Sequence, residues 1–271
     1  MNKFLKLMAV FVSCSTITTV SFASDKVYTF SVVPQQSASK TAAIWKPILK
    51  YLSDKTGQKF KLSTAKNIPT FEKRLEEEKA DFSYMNPYHY TVYHERSGYN
   101  AIARAKDKRI KGVVVVQKDS PLQKLEELDG HTLAFPSPAA FAASLLPRGF
   151  MKANGINITP KYVSSHDSVY LNVVKGRMVA GGGIVRTFKN TKQHVRDNLR
   201  VLWTTDGYTP HAIAAHKRVD GELVKAVQQA LVDLGSTEQG LAMVGKMKLK
   251  GFIAAQDADW NDVRSLKLNE L

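Results

Sequence analysis

Apolar and polar positions along the chain switch repeatedly between two periods. Val27–Val33 interleaves β-branched and aromatic residues with polar ones, as a strand does. Ile44, Trp45, Ile48, Leu49 and Leu52 recur at the 3.6-residue spacing of one helical face, and Gly57 closes that helix. Lys59–Ser63 alternates again, Phe71–Lys79 is helix-like, and Asp81–Met85 reads as a buried strand broken by Asn86-Pro87. Tyr88–Arg96 is helical up to Gly98. Gly112–Gln117 holds four consecutive valines, a strand covered on both faces. A short acidic helix over Leu122–Leu128, a strand over His131–Phe135 and a helix over Ala139–Ala153 follow. Lys161–Ser164, Val169–Val174 and Ala180–Val185 repeat strand, helix, strand. Val201–Thr205 and His211–Ala215 are further strands, and Leu223–Leu234 and Gln239–Val244 further helices. This rhythm predicts an α/β fold built from βαβ units with mainly parallel sheets.

With no repeat and no low-complexity tether, two lobes must be joined by short crossings. Gln117–Pro121 and Thr205–Pro210 each follow a strand and contain a breaker, so they are the expected crossings. The expected organisation is residues 24–117 with 206–271 as a discontinuous first lobe, and 118–205 as the second.

The first 23 residues change the setting. Lys3 and Lys6 precede an apolar stretch, Leu7–Val12, that fades through Ser13–Thr19 to the small residues of Ser21-Phe22-Ala23. This is the pattern of a secretory signal peptide cleaved after Ala23, and the apolar run is too short to span ~30 Å of hydrocarbon. Cys14, the one cysteine, lies in a weak lipoprotein-like context and offers lipid anchoring as a lesser alternative. The expected location is the periplasm. The formal charge is +15, and +13 once Lys3 and Lys6 are removed. The lysines are scattered rather than massed, so nucleic-acid binding is not expected, while attraction of anions is.

Four segments share a strand, a polar turn and a helix start: Pro34–Ser39, Tyr84–Tyr90, Phe135–Ala140 and Ser164–Ser168. In open α/β sheets the ligand crevice lies at the carboxyl ends of strands, where helix N-termini offer unpaired amides and partial positive charge. Singly, each such turn is an ordinary cap contributing ~1 kcal/mol. Together they predict a small-anion site between lobes. His89 and His94, like His211 and His216, are five apart, which does not gather metal ligands on one helical face. No metal site, no cofactor and no catalytic nucleophile–base pair is expected, so the chain reads as a binder rather than an enzyme.

Several motifs occur in order. They are Pro34-Gln35-Gln36-Ser37 with Trp45-Lys46-Pro47, the helix end Tyr51–Gly57, and Ala80-Asp81 leading to Asn86-Pro87 and Tyr90. Leu125, Leu128 and Gly130 follow, then Ser165-His166-Asp167 with Val173–Gly176. From about Val27 to about Val201 the chain resembles the substrate-binding proteins of the phosphate/phosphite/phosphonate ABC transporter family. The resemblance implies a two-lobed type II periplasmic-binding-protein fold with two crossings. It also implies a solute-binding role with an inner-membrane ABC permease as partner. A periplasmic receptor serving a sensor kinase, or a binder of a small carboxylate or sulfonate, is the alternative. The resemblance assigns a ligand-contacting hydroxyl to Tyr90 and a ligand donor to His166, with Asp167 capping the helix and orienting His166. The full expected ligand set is Gln36, Ser37, Asn86, Tyr90, Ser137, His166 and Arg186, in a chain expected to act as a monomer. Two departures bear on the ligand. Ala140-Phe141-Ala142 stands where the family places a Ser-Thr-Ser turn, and Arg186, a planar fork suited to oxyanions, follows Gly181-Gly-Gly-Ile-Val. Trp203, beside the second crossing, is a further candidate to line the cleft.

Overall fold

The computed structural model describes residues 26–271. The expected signal peptide and Cys14 lie outside the described residues. In chain order the elements are β1 (Val27–Val32), α1 (Ala38–Thr56), β2 (Lys59–Ser63), α2 (Ile68–Glu76), β3 (Phe82–Met85), α3 (Pro87–Ser97), β4 (Tyr99–Ala105) and β5 (Gly112–Gln117). There follow β6 (Thr132–Phe135), a π-helical turn (Phe141–Leu145) running into α4 (Leu146–Ala153), β7 (Thr159–Tyr162), α5 (His166–Val174) and β8 (Ala180–Ile184). The chain ends with α6 (Val185–Lys189), α7 (Gln193–Arg196), β9 (Leu199–Thr204), β10 (Ala212–His216), α8 (Gly221–Asp233), α9 (Glu238–Gly245), β11 (Phe252–Ala254) and α10 (Asn261–Arg264).

The strands form two sheets, ordered β11-β4-β10-β3-β1-β2 and β7-β6-β8-β5-β9. This is the α/β two-lobed architecture, with mixed rather than mainly parallel sheets. β1 runs parallel to β2 and β3, and β6 parallel to β7 and β8. β10 and β5, the strands nearest the crossings, pair antiparallel with their neighbours. Each returns the chain through a sheet from the opposite direction, which a strand–helix rhythm does not reveal.

β5 belongs to the second sheet, so the first crossing is residues 106–111, not Gln117–Pro121. The valine run marks burial on both faces but carries no mark of which sheet buries it. β4, with Asn100 and Arg104 breaking its apolar alternation, and the three-residue β11 gave no comparable sequence signal. The second passage, residues 205–211, runs beside the first. Ile110 N donates to Tyr208 O at 2.8 Å, and Tyr208 N to Ile110 O at 3.0 Å. Among the described residues, the chain thus passes between the two sheets through two short paired segments.

Local chemistry explains the helix ends. Gly57 and Gly98 close α1 and α3 with φ of 68° and 74°, where a side chain would be strained. The aromatic core of the first lobe gathers Phe30, Trp45, Phe82 and Tyr84 about β1 and β3. The turn before α4, including Phe141, packs into this same cluster although its strand belongs to the other sheet. The apolar surfaces of the two lobes thus meet.

Candidate functional site

A small cavity lies between the sheets, with about 10 Å3 of free space, room for about one water. Val33, Gln35, Ile68, Asn86 and His211 line it from the first lobe, and Ala140–Ala143, His166 and Ile184 from the second. Each of these residues lies beside a strand end, in the turn after one, or at a helix start.

The second-lobe wall is built on close backbone approach. The π-helical turn lies so near β5 and β8 that a Cβ on Gly112 would stand 1.9 Å from Ala142 O, and one on Gly182 2.0 Å from Ala143 O. Only glycine admits the turn there. Ala140, the residue before the turn, supplies no side-chain cap. The amides of Phe141, Ala142 and Ala143 precede any intrahelical acceptor, and among the described residues they find no other. Three backbone donors therefore remain where the sequence lacks the hydroxyls.

His166 begins α5 and is buried. Its backbone amide donates across the cleft to Gln35 O at 3.1 Å. Its Nδ1 lies 3.0 Å from Thr187 Oγ1, which also meets Tyr170 Oη at 2.9 Å and Ile184 O at 3.1 Å. When Thr187 donates to Nδ1, the ring proton sits on Nε2 and is offered to an anion. When Thr187 donates to Ile184 O, Nδ1 keeps the proton and Nε2 accepts. The same ring can serve an ionised or a protonated oxygen. Burial, then the charge of Arg186, lowers the His166 pKa from 6.5 to about 3.

Arg186 Nη2 donates to Gln35 Oε1 at 2.5 Å. With that oxygen engaged, Gln35 Nε2 donates to His211 Nε2 at 3.0 Å, which puts the His211 proton on Nδ1. Burial first, and Arg186 next, hold His211 well below its ordinary value, and the ring stacks on Tyr84 at 4.9 Å. Among the described residues no acid lies within ion-pair distance of Arg186. The site thus has two neutral imidazoles beside one fixed, acid-free cation.

The expected residues separate on this geometry. Asn86 and His166 line the cavity, but the Asn86 side chain is fully engaged. Its Oδ1 accepts from His89 N at 2.8 Å, and its Nδ2 donates to Ala139 O at 3.1 Å and lies 3.2 Å from His89 Nε2. Arg186 reaches the site through Gln35, and Gln36 lines an adjoining small cavity with Arg186 and Tyr84. Ser37 is exposed, and its hydroxyl caps α1. Ser137 is buried outside the cavity wall, its Oγ without a partner among the described residues.

Tyr90 faces away from the cavity. Its hydroxyl donates to Asp257 at 2.8 Å, accepts from Ala101 N at 3.2 Å, and its ring packs on Trp260. Burial, then that carboxylate, raises its pKa. The expected Tyr90 contact is corrected on this ground: it stands one helical turn beyond Asn86, on the face turned to the core. Ser165, not Asp167, caps α5, while Asp167 pairs across the cleft with Lys40 at 3.1 Å. Trp203 stacks on Phe150 along a separate groove. Gln35 and His211 were missed, whereas open amides at the Ala140-Phe141-Ala142 helix start were anticipated from the turn pattern. His211 had one sequence signal, its place directly after Pro210 at the end of a crossing. No group of three or more potential metal-ligating side chains occurs among the described residues.

Residues 30–260 match the sequence model of the family described as ABC transporter, phosphonate, periplasmic substrate-binding protein. The chain belongs to this family. Membership makes it a solute-binding component of an ABC transporter, with a small ligand and a membrane permease as partners. The fold of the binding protein is shared with solved structures of low identity. PhnD1 from Prochlorococcus marinus, in complex with methylphosphonate, superposes with TM-score 0.84 at 19% identity, covering 91% of this chain and 100% of that one. A binding protein component of an ABC phosphonate transporter from Pseudomonas aeruginosa gives 0.83 at 17%, covering 90% and 86%. A Xanthomonas citri protein bound to chloride ion gives 0.72 at 16%, covering 89% and 95%.

Proposed function

We propose that the binding protein captures the phosphonate group of a small molecule in the cavity between its sheets. The observation that carries this reading is the convergence of three unengaged amides, His166, His211 and the Gln35–Arg186 pair on one interlobe cavity. Oxyanions of the phosphate and phosphite type suit the same donors. In this reading Phe141, Ala142 and Ala143 supply backbone donors, His166 supplies a ring nitrogen, and Arg186 supplies the charge with Gln36 beside it. Asn86 positions the turn at Ala139, Ser37 holds the start of α1, and Ser137 backs the wall. The lobes part about the paired crossings to admit a ligand larger than the present space, and close again over it. Closure is held by Lys40–Asp167, the His166 amide to Gln35 O, and Arg148–Glu270 at 2.9 Å.

The protein is exported by residues 1–23, with cleavage after Ala23, and acts in the periplasm as a monomer. It hands its ligand unchanged to an inner-membrane ABC permease. Calorimetry with methylphosphonate, phosphite, phosphate, methanesulfonate and acetate tests the reading. Phosphonate at 100 times its dissociation constant is expected to add about 2.7 kcal/mol of stability, and 31P NMR should recover it intact. Binding of the carboxylate or sulfonate in preference to every phosphorus oxyanion would sink it.

A further inference from the structure

A second, larger cavity of about 180 Å3 adjoins the first and shares Ile110, Ile184 and His211 with it. Its lining includes Lys108, Arg109, Lys111, Arg186, Lys189 and Lys248, and no acid. Arg109 is matched by Asp262 at 2.7 Å. For Lys108, Lys111, Arg186, Lys189 and Lys248, no acid stands within ion-pair distance among the described residues. These five cations come from separate parts of the fold. Lys108 and Lys111 lie on the first crossing, Arg186 and Lys189 on α6 of the second lobe, and Lys248 between α9 and β11 of the first. Lobe closure therefore gathers like charges around one space. Crowded like charges repel, and an anion among them relieves that repulsion. The methyl group of methylphosphonate would do nothing for them.

We infer that the preferred ligand carries a second anionic group, a phosphonate whose organic substituent bears a carboxylate or a further phosphorus oxyanion. The phosphonate sits in the small cavity and the substituent extends past His211 and Arg186 into the cationic one. This rests on the phosphonate reading above and adds the chemistry of the substituent. A cationic aminoalkyl substituent would be disfavoured by the same charges.

Calorimetry on the purified protein with methylphosphonate, phosphonoacetate, methylenediphosphonate and 2-aminoethylphosphonate decides it. Phosphonoacetate or methylenediphosphonate should bind at least ~10-fold tighter than methylphosphonate, and 2-aminoethylphosphonate weaker than either, as expected for several partly screened charge contacts. In the Lys189→Gln/Lys248→Gln double variant that advantage should fall to about threefold or less, since each exposed pair contributes modestly. It should also shrink as ionic strength rises from about 0.01 M to about 0.15 M and the Debye length drops from about 30 Å to about 8 Å. Both lysines are exposed, so folding is not at stake, and Lys111→Gln provides an independent variant. Equal or tighter binding of methylphosphonate or 2-aminoethylphosphonate would overturn the inference and leave the phosphonate reading standing. So would an advantage untouched by either variant. Failure of all four phosphonates to bind would overturn both.

Discussion

Two helix starts border the same cavity and treat their backbone donors in opposite ways. At α3, Asn86 caps the helix through His89 N, and Pro87 has no amide to offer. The Asn86 side chain is fully used, on His89 and on Ala139 O. At the turn into α4, Ala140-Phe141-Ala142 brings no capping side chain, and three amides stay available. The start of α5 lies between these extremes, with Ser165 bonded to Ser168 N and the His166 amide given to Gln35. A rich polar motif can therefore mark a finished cap, and a barren one an open anion cradle. The loss of hydroxyls at Ala140–Ala142 removes side-chain donors but leaves the partial positive charge of the helix end.

The strongest way to break this comparison is to move the open start. In Gly112→Ala the new methyl would collide with Ala142 O, forcing the turn away from β5. Ligand affinity should fall about 100-fold or more by calorimetry, as for a misplaced binding group, and stability by about 1–3 kcal/mol in urea unfolding. Removing the ring that completes the cradle, His166→Ala, should raise Kd about 10- to 100-fold, the loss of one buried bond to a charged group. Affinity unchanged in both would remove the α4 start from the site.

The pH dependence sharpens the same contrast. Burial, followed by Arg186, holds the folded-state pKa of His166 near 3 against an ordinary 6.5, and lowers His211 also. The unfolded chain then binds protons that the folded chain refuses. Stability is fully present above pH 6.5 and is lost as pH falls from about 6.5 towards 3. A bound anion favours the charged ring, so saturating phosphonate should flatten this decline in thermal melts. His166→Gln should flatten it without ligand.

At the closed start, Asn86→Ala should cost about 1 kcal/mol of stability, as a lost helix cap does, with a smaller effect on affinity than His166→Ala. A larger affinity loss at Asn86 than at His166 would reverse the roles given to the two helix starts. The smallest effect is expected at the rim. Lys40 and Asp167 are partly exposed, so Lys40→Ala should change Kd by about threefold or less, and less still at high salt.

The legible parts of the fold were those governed by neighbours in sequence. The 3.6-residue spacing from Ile44 to Leu52 marked α1, Gly57 and Gly98 marked helix ends, and the valines of β5 marked a strand buried on both faces. β4 and β11 were not legible, because their burial depends on β10 and on each other. In the site, His166 and Arg186 were named from their turns. Tyr90, assigned by the resemblance, lies off the cavity because a short motif match does not carry which side of the helix meets the cleft. His211 and Gln35 join the site only through each other and Arg186, residues 176 and 151 positions away from Gln35.

The sequence by itself determined an alternating α/β chain, its helix caps and the family to which it belongs, since these follow from local periodicity and ordered short motifs. The tertiary structure alone decided which sheet takes β5, which helix start keeps its amides open, and which cations share a space. Those depend on how segments far apart in the chain meet, as where Gly112 lies against Ala142 and where Lys189 and Lys248 line one cavity, and no local pattern encodes such distances.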